Sequence, residues 1–309
     1  MKLCIPFLLS QAEQFRPEWL EAGYGIEASL FDRVDIARPD RWDRVRANLL
    51  SLHHDHRPQT LIIHFPVNDC NYLDDPLVRD RLWEMLDLAD RVGADGLVLH
   101  SNQVHTVDEW LGADLATEAD RFHRFVGVLD ERCRGAGFWI GLENMPLMGN
   151  EPTELDPLLC FPPDFSFLSA LPESSRIGIC WDLCHYSYSV HVAELLRSGA
   201  LDEAGLYPRS GETGFTDFAG IADRIVHYHF SAFRGIASRT RATVCTEGVV
   251  PAESTLGPQL YRELARTILR AGGPARTVTF EIAEADYRRR TRIWQAIDWW
   301  HEATEGVAR

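Results

Sequence analysis

Short apolar or β-branched runs recur along the chain, and each ends on a polar side chain. They are Leu61-Ile62-Ile63-His64, Leu97-Val98-Leu99-His100, Trp139-Ile140-Gly141-Leu142-Glu143, Ile177-Gly178-Ile179-Cys180-Trp181-Asp182, Ile225-Val226-His227-Tyr228-His229 and Thr277-Val278-Thr279-Phe280-Glu281. Runs of this length without helical spacing predict buried strands of a parallel sheet. With the start of the chain they give eight strands, at about 2–7, 24–30, 60–64, 96–100, 138–143, 177–182, 225–230 and 277–282. Helical spacing lies between them. Leu82, Met85, Leu86, Ala89 and Val92 share one face and stop at Gly93; Phe122, Phe125, Val126, Leu129 and Cys133 do the same before Gly135. Leu260 to Leu269 forms a third such segment, ended by Gly272 and Gly273.

Strand and helix alternating at this spacing imply βαβ units, and eight of them imply a single-domain (β/α)8 TIM barrel over residues 1–309. The connections after the fifth, sixth and seventh strands are long. Residues 144–176 hold six prolines, and 186–223 and 231–258 are rich in Gly, Ser and Thr. These are expected to be loops building a lid or a substrate pocket.

Composition narrows the chemistry. Hydrophobic residues are 45% and charged ones 25%, ordinary for a globular enzyme. The net charge of −15 argues against a nucleic-acid partner. No apolar stretch approaches the ~20 residues of a membrane span, and Met1 to Phe7 reads as a strand. Seven cysteines without a CxxC pattern fit reduced thiols in a cytoplasm. Lys2 is the only lysine, so Schiff-base chemistry at a strand end is excluded. Without a glycine-rich phosphate loop, no organic cofactor is expected.

Buried strand ends bearing His, Asp and Glu need partners. Alternation puts Glu143 on one face with Gly141, Asp182 with Cys180, His229 with His227 and Glu281 with Thr279, leaving Leu142, Trp181, Tyr228 and Phe280 toward the helices. Oxygen and imidazole donors suit a divalent ion such as Mn, Fe, Co, Zn or Mg.

At Gly141-Leu142-Glu143-Asn144, Trp181-Asp182-Leu183-Cys184-His185, His229-Phe230-Ser231 with Arg234-Gly235, and Phe280-Glu281, the chain resembles the xylose-isomerase-like barrel superfamily. That superfamily includes sugar epimerases, hydroxypyruvate isomerases, inosose dehydratases and endonuclease IV, and the resemblance spans all eight strands. It implies that Glu143, Asp182, His229 and Glu281 bind one divalent ion, that Glu143 and Glu281 move the substrate proton, and that His185, Asn144 and Arg234 contact substrate. The arginine's spacing from His229 is not that of the epimerases. His64 and His100 resemble endonuclease IV segments that hold a second ion bridged by the glutamate matching Glu143. The Asp-x-His pair of that enzyme's third ion has no counterpart in Val249 to Gly257.

The resulting expectation is a metal-dependent isomerase, epimerase or related lyase acting on a small hydroxy-carbonyl or sugar-like molecule. A di- or trinuclear phosphodiesterase or iron oxygenase is the alternative, and a degenerate binding barrel the third reading. His53, His54 and His56 read as solvated, His105 and His227 as pocket histidines, Arg288-Arg289-Arg290 as a solvated face, and Trp299-Trp300 as barrel packing or a homodimer contact.

Overall fold

Eight parallel strands close into a barrel in a computed structural model of the chain that describes residues 1–66, 70–149, 155–156, 158–202, 213–271 and 276–307. The strands are β1 (Lys2–Leu8), β2 (Gly25–Ser29), β3 (Leu61–His64), β4 (Gly96–Leu99), β5 (Trp139–Glu143), β6 (Ile177–Asp182), β7 (Ile225–Phe230) and, after an antiparallel hairpin of β8 (Ala232–Ser238) and β9 (Thr243–Val249), β10 (Thr277–Phe280). Their order around the barrel is β1-β10-β7-β6-β5-β4-β3-β2. The predicted strands are all present within a residue or two of their expected bounds, and His100 and Glu281 stand one residue past β4 and β10. Gly272 and Gly273, expected to end the third helical segment, lie outside the described residues.

The alternation along each strand sorts side chains into two separate apolar clusters. Leu142, Trp181, Tyr228 and Phe280 belong to the large one between strands and helices, where each fully buried side chain contributes roughly 1.5–3 kcal/mol. Cys4, Ile62, Val98 and Cys180 form a small one inside the barrel, with Trp139 packed against them. Trp139 stacks on the ring of His227 at 5.5 Å between centroids, and a Cβ on Gly96 would fall 2.2 Å from the Trp139 ring.

All three expected loops contain regular structure, the first as a 3-10 helix at Pro162–Ala170. Residues Leu183–Arg197 form a helix whose first eleven residues are nearly all buried; tertiary burial overrides the weak helical preference of its Tyr, Ser, His and Val. The stretch after β7 is the β8–β9 hairpin, whose second strand carries the β-branched Thr243, Val244 and Thr246. Arg290 also departs from expectation. It is 2% exposed, with its guanidinium 5.0 Å over the ring of Trp19, where the cation meets the aromatic face. All seven cysteines are buried, and none forms a disulfide. Among the described residues no helix is long and apolar enough to cross a membrane.

Candidate metal centre

Strand register brings His229 level with Asp182 of β6 on one side and Thr279 of β10 on the other. Glu281, two residues beyond Thr279, returns to the same face. His229 Nδ1 then lies 3.2 Å from Glu143 Oε1, 3.3 Å from Glu281 Oε2 and 3.8 Å from Asp182 Oδ2. Ligand atoms of these four residues are all within 4.8 Å of one another. A second group, His64, His100 and Glu143, meets the same criterion. Both histidines point Nε2 at Glu143 Oε2, each at 3.1 Å. Glu143 therefore turns one oxygen to each group.

The donors are arranged for a cation. His64 Nδ1 lies 2.8 Å from the carbonyl oxygen of Phe65, which can only accept, so that nitrogen carries the hydrogen. In the neutral ring the Nε2 lone pair then faces a carboxylate oxygen, an unfavourable meeting unless a proton or a metal ion stands between them. Glu143 Oε1, Glu27 Oε1 and both ring nitrogens of His229 are buried, and none has a hydrogen bond of acceptable geometry despite contact distances of 3.2 Å. Buried polar atoms left in this state are costly. Hard oxygen and imidazole donors in this number fit one or two divalent ions.

Local structure fixes these side chains. Asn144 clamps the ends of β5 and β6: its Nδ2 donates to the Asp182 carbonyl at 3.0 Å, and the Asp182 N–H donates to its Oδ1 at 2.7 Å. Asp182 Oδ1 accepts from the His185 N–H at 2.6 Å, capping the following helix, while Oδ2 is directed to His229. His185 Nδ1 lies 3.0 Å from the Asn144 carbonyl. Beneath the ligands, fully buried Glu27 of β2 accepts from Thr279 Oγ1 at 2.6 Å, with His227 Nε2 3.0 Å away and His229 Nε2 3.2 Å away.

Among these protein groups alone, burial would raise Glu143, but His229 and His100 hold it well below the carboxylate range. Burial likewise opposes the ionised form of Glu27, which His229 and His227 hold low. Asp182 is pushed up to about 6 by burial and by the charge of Glu143, against the pull of His185 and His229. Burial and the charges of Glu143 and Glu27 push Glu281 up to about 8, against His229 and His64; a third of its side chain faces the open cleft, so solvent tempers the rise. Burial lowers His229, and Cys180, Glu143, Glu281 and Glu27 together push it well above its ordinary value.

These strand ends open into a cleft of about 260 Å³, lined by His64, His100, Glu143, His185 and Glu281 among others. The barrel superposes over its whole length on known proteins. The TTHB071 protein from Thermus thermophilus, in a structure soaked with ZnCl2, aligns with TM-score 0.59 and 21% identity over 100% of both chains. A D-tagatose 3-epimerase-like protein aligns with TM-score 0.60 and 16% identity, again over 100% of both. Endonuclease IV, also from Thermus thermophilus, aligns with TM-score 0.52 and 17% identity over 98% of this chain and 100% of its own. The chain has the (β/α)8-barrel fold that these proteins share. No protein-family model and no curated protein sequence matches it.

Of the three residues expected to contact substrate, His185 lines the cleft, whereas Asn144 and Arg234 do not. Asn144 spends its side chain on the Asp182 backbone. Arg234 pairs with Thr246 on the outer face of the hairpin and is exposed; alternation turns the next residue of β9, Glu247, to the cleft instead. His105 lies outside the lining and pairs with Glu118 at 2.8 Å, and His227 is sealed beneath the ligands. Sequence reasoning missed Glu27 and Glu247. The signal for Glu27 was a carboxylate inside the apolar run Gly25-Ile26-Glu27-Ala28, where an unpartnered charge is costly.

Proposed function

We propose that this protein is a divalent-metal-dependent isomerase or epimerase, or a related lyase, acting on a small hydroxy-carbonyl compound. The observation that carries the reading is the convergence of Glu143, Asp182, His229 and Glu281 from four strand ends beneath a cleft sized for a small molecule. The ZnCl2 soak of one superposable structure and the epimerase-like description of another support it. A bound divalent ion would grip adjacent substrate oxygens and polarise a carbonyl. Glu143 and Glu281 both line the cleft, and these two carboxylates would take a proton from carbon and return it. His185, held by the Asn144 carbonyl, is placed to orient a substrate hydroxyl. The chain's one lysine starts β1, at the pole opposite the cleft, so no imine participates.

The test is solvent deuterium exchange. Metal-loaded protein incubated in heavy water with a panel of ketoses, aldoses and hydroxy-ketoacids should place deuterium at the carbon beside the carbonyl of one of them. A panel left unlabelled by Mn-, Co-, Fe- and Zn-loaded protein would refute the reading.

One observation favours a second reading. His64 and His100 converge on the outer oxygen of Glu143, more imidazole than one ion needs. Two ions at this site would suit a hydrolase or an iron oxygenase. Elemental analysis of anaerobically purified protein separates the cases: one equivalent favours isomerase chemistry, and two or more irons favour oxidation.

A further inference from the structure

The charged side chains of the cleft are carboxylates, with imidazoles beside them. Among the described residues fifteen line it, and none of these is Arg or Lys. Besides Glu143 and Glu281 it presents Asp156, whose Oδ1 accepts from Ser101 Oγ at 2.6 Å, and Glu247. One or two divalent ions would offset the charge of their own ligands and leave these two carboxylates on the wall. The mouth is apolar: Phe31 and Val104 line it and are 56% and 53% exposed.

Glu247 is held in place. Its Oε1 lies 3.7 Å from His185 Nε2. The next residue, Gly248, has φ +72°, and its carbonyl accepts from the Ala283 N–H at 2.8 Å. A Cβ there would lie 2.8 Å from Ala283 N and 3.1 Å from the Glu281 carbonyl, so the hairpin is seated directly on the segment that carries Glu281. The carboxylate of Glu247 thus enters from the hairpin side of the cleft, beside the imidazole expected to touch substrate.

We infer that Glu247 contacts the substrate and, with Asp156, makes this cleft select ligands bearing hydroxyl or ammonium donors and reject phosphorylated ones. This rests on the reading of the cleft as the substrate site. A phosphate seated beside Glu247 or Asp156 would meet a carboxylate and, among the described lining, no Arg or Lys, the basic groups there being the imidazoles of His64, His100 and His185, the last of which Glu247 already faces; like charges at short range in a partly dry site repel strongly. A hydroxyl or ammonium group at the same place is accepted by Glu247.

Calorimetric titration of the metal-loaded full-length chain with a free ketohexose, its phosphate ester, an aminohexose and inorganic phosphate tests this. Both donor-bearing sugars should bind about tenfold or more tightly than the phosphate ester. Glu247→Gln should weaken the aminohexose about tenfold, and Glu247→Lys should bring the phosphate ester to parity with the free sugar. Both variants should keep the wild-type metal content and melting temperature, which a ligand or a structural prop would not. The inference is overturned if the phosphate ester binds wild type as tightly as the free sugar, if neither donor-bearing sugar binds at its solubility limit, if Glu247→Gln leaves the order of affinities unchanged, or if that variant loses a metal equivalent. Titration needs no turnover. Probes that bind in the expected order but exchange no proton would refute the proposed reaction and leave this inference standing.

Discussion

Glu27 lies directly behind His229, its Oε1 3.2 Å from the ring nitrogen that faces away from the other ligands. A carboxylate behind an imidazole fixes the ring and strengthens it as a donor to a metal on its other nitrogen. Glu27→Gln should therefore lower metal affinity roughly 10- to 100-fold while leaving every direct ligand of the Glu143, Asp182, His229 and Glu281 group in place. Competition with a chelator of known affinity measures this; unchanged affinity would assign Glu27 to packing alone.

The second histidine group can be separated from the first. His64→Ala or His100→Ala should remove one metal equivalent and leave an ion at Asp182, His229 and Glu281. Metal content that stays at the wild-type value in both variants would make these rings part of the cleft lining only.

The carboxylates give metal binding a defined pH dependence. Glu281 pushed up to about 8 and Asp182 to about 6 hold protons that an ion must displace. In the chain without an ion, these two groups bind more protons folded than unfolded between about pH 4 and 8, so their contribution to stability falls as pH rises through that window. Metal affinity runs the other way: it rises with pH through both carboxylate values, the proton these neighbours hold on His229 having to leave as well, and falls more steeply below about 6. Calorimetry in buffers of different ionisation enthalpy should find at least one proton released per ion at about pH 7, and more at about pH 5. No release at neutral pH would contradict these assignments.

Asn144 acts on the site through Asp182. Asn144→Ala leaves the Asp182 N–H and carbonyl buried without their partners, at a cost of about 2–4 kcal/mol. Denaturant melts should show that loss, and metal affinity should fall with it. A variant with wild-type stability would mean that the β5–β6 clamp is dispensable.

Much of this was legible in the chain, for identifiable reasons. A strand with both faces covered leaves an apolar run in the sequence, so the barrel strands and the candidate ligands at their ends stand out. Glu143, Asp182, His229 and Glu281 were found because each closes such a run. Glu27 sits inside its run, a single polar residue among apolar ones, and its meaning depends on partners distant in the chain, His227 and Thr279. Arg234 and Glu247 show a different limit. Which side of a hairpin faces the cleft is decided by its docking, and Arg234 next to a motif looked more like a substrate contact than a glutamate thirteen positions later. The helix at Leu183–Arg197 was hidden because nearly every side of its first turns is buried, which erases the amphipathic stripe.

The bond from Ala283 to Gly248 has a consequence for how such barrels can change. It joins the hairpin to the segment after β10, so Glu247 and Glu281 belong to one piece of architecture. A hairpin copied in from another barrel would arrive without its glycine seat and would drag the Glu281 segment out of line. The smallest segment that can move between barrels with both roles intact is then 232–283, the last barrel strand included. Preference for a substrate and geometry at the ion would be inherited as a single unit.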